Sequence, residues 1–165
     1  MAAISEIITA MMEYDKGDPR RIHHFLKVYA FAKSIGEQEN LSPELQEILE
    51  TAAVTHDIGI KISEKKYNSC AGKYQQLEGP PIAREMLTRL GCGEPLIRRV
   101  VELIGRHHTY TDIDGPDCQI LIEADFLVNL AEDRSPPAQI EAVRKNIFRT
   151  KTGRRYLELQ FDQKA

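Results

Sequence analysis

The segment Ile120-Leu121-Ile122-Glu123-Ala124-Asp125-Phe126-Leu127-Val128-Asn129-Leu130 narrows the folds open to this chain more than any other. At helical spacing it is apolar nearly all round, so as a helix it has to be buried on most sides. Asp125 stands in its middle, on the Leu121/Val128 side. A carboxylate there must be paired, protonated or metal-bound. Glu123 is the competing acid and lies on another face.

The rest of the chain supplies helices to enclose this one. A first helix is expected from about Ala3 to Tyr14. Asp18-Pro19 and Ser42-Pro43 each read as an N-cap followed by a first-turn proline. They open a second helix to about Glu39 and a third that carries Leu45, Ile48, Leu49, Ala52 and His56 at three- and four-residue spacing. Periodicity fails from Ile60 to Leu77, which reads as a long loop. A fourth helix follows Gly79-Pro80-Pro81, and a fifth runs from about Glu94 to His108. Asp117 caps a sixth that reaches about Asp133. Ser135-Pro136 opens a seventh to about Phe148, and a short last helix carries Tyr156, Leu157 and Leu159. No stretch alternates with period two for long, so no sheet is expected. The expectation is an all-α, compact single domain over residues 1–165 with about seven to eight helices. Its core covers about 20–133, and C-terminal helices occupy 134–165.

Hydrophobic residues make up 42% of the chain and charged residues 28%, which argues against disorder. The net charge of −3 provides no basic field for a nucleic acid duplex. No apolar run is long enough to span a membrane. Cys70, Cys92 and Cys118 are scattered without C-x-x-C spacing, and the N-terminus lacks a secretory signal pattern. Both features point to reduced thiols in a cytoplasmic protein.

Helical phase sorts the polar candidates. His24 shares a face with Val28, Phe31 and Ile35 and points inward; His23 shares one with Lys27, Ala30 and Ser34 and points to water. His56 extends the buried face of the third helix by one turn. Asp57 follows it directly, and Gly59 eases the helix exit. Imidazole and carboxylate together suit a divalent transition metal. His24, His56-Asp57 and Asp125 thus turn toward one region from three helices.

In this order the chain resembles the HD superfamily of metal-dependent phosphohydrolases. The resemblance rests on Arg21-Ile22-His23-His24, His56-Asp57-Ile58-Gly59, His107-His108 and Ala124-Asp125, and covers about Arg20 to Asp133. It implies an all-helical domain with a metal held by His24, His56, Asp57 and Asp125, and hydrolysis of a phosphate ester or nucleotide. Two-metal members carry a further histidine where this chain has Gln75, so one divalent ion (Mn, Fe, Co, Ni or Zn) is expected. A second ion would call on Glu78, His107 or His108.

A metal-activated water would attack a small phosphorylated substrate, with Asp57 beside it. Positive groups are needed around the phosphoryl oxygens. Lys61 and Lys73 are candidates, as are Lys151 and Arg154 at the start of the last helix. His107 and His108 are candidates to hold phosphate, protonate the leaving group or bind a second ion. Two other readings are a non-haem iron oxygenase on an HD-type fold and a metal- or nucleotide-binding module without turnover.

Overall fold

The computed structural model describes residues 2–162. Nine helices occur among these residues: α1 (Ile4–Tyr14), α2 (Pro19–Gln38), α3 (Pro43–Thr55), α4 (Ile60–Tyr67), α5 (Gly72–Arg89), α6 (Glu94–Ile104), α7 (Pro116–Glu132), α8 (Pro137–Asn146) and α9 (Lys151–Phe161). The all-α expectation holds. None of the described helices is long and apolar enough to cross a membrane.

α2, α3 and α7 form the middle of the molecule and pack against one another. Asp18 and Ser42 cap α2 and α3 as their sequence signals predict, accepting hydrogen bonds from the Arg21 and Leu45 amides. α2 turns Val28, Ala32 and Ile35 into the core, and α3 contributes Leu49, Ala52 and Ala53. α7 is buried on almost every side, with α9 closing part of its remaining surface. α6 packs on both α3 and α5, and α4 lies against α5.

Three expectations need correction here. Residues 60–77 are not a long loop: α4 fills the first half and ends at Asn68, whose left-handed backbone (φ 50°) stops the helix. The next helix starts at Gly72 rather than after Pro81, so Pro80 and Pro81 lie inside α5. Interior prolines remove hydrogen bonds and strain the preceding residue. Gly79 lacks the Cβ that would clash most before Pro80, and packing on α4 and α6 supplies the compensating contacts. Asp117 is not an N-cap. Gly115 takes that place, while the buried Asp117 forms a two-pronged pair with Arg99 of α6, both contacts at 2.8 Å. The pair joins α6 to α7 and is of the strong, geometrically specific kind.

The other boundaries shift less. α6 ends at Ile104, so His107 and His108 lie in the turn beyond it. The N-terminus of α9 offers no anion site. Glu123 already occupies it, accepting from the Arg149 and Thr150 amides (both 3.1 Å) and from the Thr150 hydroxyl (2.7 Å). Lys151 is exposed there, and Arg154 donates to the Phe148 carbonyl.

The start of α4 meets α5 backbone to backbone. A Cβ on Gly59 would lie 2.7 Å from the Gln75 carbonyl oxygen and 2.8 Å from the Gly79 nitrogen. Neither neighbour can rotate away. Gly59→Ala is therefore expected to destabilise the fold by roughly 1–3 kcal/mol, the range for overpacking a tight contact. Gly93→Ala, whose Cβ would meet nothing nearer than 3.8 Å, should lose less, roughly the few tenths to 1 kcal/mol that alanine costs at the N-cap of α6. Denaturant melts of the two variants compare them directly; equal losses would contradict the close approach.

Candidate metal centre

Two of the histidines are positioned by the ends of helices. A helix leaves its last carbonyls without partners. His56, directly after α3, donates its Nδ1 proton to the Ala53 carbonyl at 2.8 Å. His107, just past α6, does the same to the Ile104 carbonyl, also at 2.8 Å. Each bond closes a helix and fixes a ring, so the opposite nitrogen, Nε2, faces inward. His24 is held differently: its Nδ1 lies 2.8 Å from Glu132 Oε1 at the end of α7. His24 is buried and His23 exposed, as the phase of α2 predicts.

Four atoms from three helices converge. His24 Nε2 lies 3.3 Å from His56 Nε2, 3.1 Å from Asp57 Oδ2 and 3.2 Å from Asp125 Oδ1. His56 Nε2 is 3.3 Å from each of the same two oxygens. An ion about 2.0–2.2 Å from nitrogen and oxygen ligands would space neighbouring ligands by roughly 3.0–3.5 Å. The spacing of His24, His56 and Asp57 therefore fits a divalent transition metal, and Asp125 offers a further oxygen beside both histidines.

Asp57 faces two ways. Its Oδ2 joins the four-atom set, and its Oδ1 lies 3.5 Å from His107 Nε2. That nitrogen is buried and has no hydrogen-bond partner. Ligand atoms of Asp57, His107 and His108 gather within 4.8 Å of one another, as do those of His24, His56 and Asp57. His108 Nε2 bonds Gln75 Oε1 at 3.0 Å, and Gln75 donates its amide to the Cys70 carbonyl. Gln75 thus sits beside the second ligand group and orients His108.

The charges are strongly coupled. Burial opposes a charge on His24, but hydrogen bonds to Asp125 and Asp57 outweigh it and push the ring up to about 10. Burial likewise opposes a charge on His56, and Asp57 and Asp125 raise it well above the ordinary range. Burial alone would raise Asp57; His56 and its other histidine neighbours hold it well below the usual carboxylate range. Asp125 is lowered in the same way. His108 goes the other way, down to about 4, through burial and the neighbouring His107.

A cleft of about 340 Å³ opens beside the four-atom set, with His24 and Asp57 in its wall. Met11, Phe25 and Ile60 give it apolar surface, and Arg20 and Arg21 stand in it beside the carboxylates of Asp15, Asp18, Asp57, Glu64, Glu132 and Asp133. Arg21 is paired with Glu64 and Asp18. Arg20 has no acidic partner among the described residues. Lys61 does not line this cleft: its ammonium donates to the Tyr14 carbonyl at 2.8 Å. Lys73 stacks over the Tyr74 ring, and Glu78 is held by Lys66 and Tyr67, outside both ligand groups. Sequence reasoning missed Arg20, Asn129 and Glu132. Asn129 and Glu132 left a signal, since they repeat the inward face of Asp125 four and seven residues on.

A family model for the HD domain matches residues 21–143, which include all four converging residues. No curated protein matches the chain. Among solved structures, the crystal structure of a predicted HD superfamily hydrolase from an uncultured Thermotogales bacterium is similar over 95% of this chain and 84% of that one. The TM-score is 0.70 and the identity 23%, a likeness of fold. With its ordered histidines and aspartates carried on that fold, the chain belongs to the HD domain family.

Proposed function

We propose that this protein is a metal-dependent phosphohydrolase acting on a nucleotide or another small phosphate ester. The observation that carries the reading is the convergence of His24, His56 and Asp57 ligand atoms, with Asp125 Oδ1 3.2–3.3 Å from both histidines, beside a cleft that Arg20 and Arg21 help to line. The cleft volume falls in the range of small-molecule sites. The four residues would hold one divalent ion tightly. Such an ion supplies Lewis acidity, lowering the pKa of a bound water and neutralising phosphate charge.

The chain's own groups have distinct tasks. His24, His56 and Asp125 orient the centre, while Asp57 presents a carboxylate to both ligand groups. Arg20 takes the place given to Lys61 and Lys73 in the sequence reading, because it lines the cleft and forms no ion pair among the described residues. Its guanidinium suits two phosphoryl oxygens at once. His107 and His108 are poor phosphate donors. Their ring protons are engaged by the Ile104 carbonyl and Gln75. In neutral rings the remaining nitrogens offer lone pairs, which favour a second, more weakly held cation over phosphate.

Elemental analysis after desalting is expected to give close to one transition metal per chain. A second should bind only with added metal, and His107→Ala should abolish the second event while keeping the first. Two ions surviving desalting would overturn the one-tight-ion reading.

Metal uptake should also release protons, because His24, raised to about 10 by its carboxylates, is protonated near neutrality without metal. Apparent affinity is then expected to climb with pH by about tenfold per unit for each proton displaced. It should fall as the solution is acidified. Chelator competition at three pH values measures the slope; a flat line would contradict the coupling.

Phosphate release from a panel of nucleoside mono-, di- and triphosphates and simple phosphomonoesters tests the reaction itself. Arg20→Ala should retain its metal but lose about 10²-fold in kcat/KM, the usual scale for one charge-stabilising donor. Lys61→Ala should behave as wild type. No turnover of any substrate by metal-replete wild type would sink the hydrolase reading.

A further inference from the structure

α7 lays Asp125, Asn129 and Glu132 along one face, at spacings of four and three residues. Each polar tip is engaged at the centre. Asn129 Nδ2 donates to Asp125 Oδ1 at 3.0 Å, the same oxygen that approaches His24 and His56. Glu132 Oε1 accepts the Nδ1 proton of His24 at 2.8 Å, and Lys27 Nζ stands 3.3 Å from that oxygen. Asn129 and Glu132 also line the cleft.

We propose that Asn129 and Glu132 are positioning residues for the metal centre: Glu132 fixes the tautomer and orientation of His24, and Asn129 fixes the carboxylate of Asp125. The inference rests on the metal reading above. The physical case starts from His24. His56 and His107 have a helix-end carbonyl three residues back to hold them. His24 lies within α2, where every nearby carbonyl is engaged in the helix, so its anchor has to come from another element. Glu132 is that anchor, and as a carboxylate it also makes the imidazole a stronger base toward an ion. Lys27 Nζ, 3.3 Å from Glu132 Oε1, helps to hold the anchor turned inward. Asp125 has the complementary need. A carboxylate on an apolar helix rotates freely about its last bond unless a donor holds it. Asn129, one turn on, is the donor within reach.

The test measures metal binding, independent of any substrate. Co²⁺ is titrated against a chromophoric chelator, and the visible Co²⁺ bands are recorded for wild type, Glu132→Ala, Glu132→Gln, Asn129→Ala and Asp133→Asn. Glu132→Ala is expected to weaken Co²⁺ binding by about 10–100-fold and to alter its bands. Glu132→Gln should recover most of the loss, because an amide oxygen still accepts the Nδ1 proton. Asn129→Ala should weaken binding as well. Asp133→Asn removes one negative charge at the next position, from a side chain that bonds none of the converging residues, and should match wild type. Thermal melts establish that each variant is folded. Wild-type affinity in Glu132→Ala, equal losses in Glu132→Gln and Glu132→Ala, or an equal loss in Asp133→Asn would each overturn the proposal. A wild type that binds no Co²⁺ would overturn the metal reading along with it, which separates the two failures.

Discussion

The helix-end hydrogen bond from histidine Nδ1 to a backbone carbonyl is the interaction on which the centre depends. It resolves two problems at once. The last carbonyls of α3 and α6 need donors, and an imidazole at a metal site needs a fixed tautomer. His56 and His107 meet both needs with the same local bond to the residue three positions earlier. The ligand direction is then set by the helix axis rather than by a mobile side chain. A centre built this way can lie in a dry interior, because its polar atoms are satisfied on one side by backbone and aimed on the other at a common point.

That interior placement has an electrostatic consequence. Asp57 and Asp125 bring two carboxylates into a region enclosed by α2, α3 and α7, where unpaired charge is expensive. The counter-charge comes either from protons on His24 and His56 or from a cation in their place. The raised histidines and lowered aspartates are two sides of this single balance. Asp125 is buried by the apolar helix that carries it, so α7 needs this counter-charge as much as the chemistry does. Fold and centre are coupled through that residue.

Much of this was legible in the sequence because it follows helical phase. The burial of His24 against the exposure of His23, the inward turn of Asp125 and the caps at Asp18 and Ser42 all rest on spacing within one element. What was not legible depends on contacts between elements. Pro80 and Pro81 carry a helix-breaking signal that packing of α5 on α4 and α6 overrides. Lys61 sits four residues after Asp57, yet α1 draws its ammonium away to the Tyr14 carbonyl. Arg20 carries no local mark, since only the folded α2 brings it to the cleft. The basic start of α9 looked open to an anion because Glu123, its actual occupant, is 27 residues away from Thr150.

Gln75 shows how one such contact sets the character of the second ligand group. Its amide donates to the Cys70 carbonyl, which leaves only its oxygen to face His108. The His108 proton must then lie on Nε2, and the lone pair on Nδ1. Burial and the adjacent His107 push this ring down to about 4, so it stays neutral across the ordinary pH range. His107, its ring centroid 3.9 Å away, has its own proton tied to Ile104. Its buried Nε2 is left without a hydrogen-bond partner, 3.5 Å from Asp57 Oδ1. A histidine in place of Gln75 would add a nitrogen to the group but would lose the fixed amide that now orients His108. The polar side chain that α5 presents before its prolines thus sets how His108 is held.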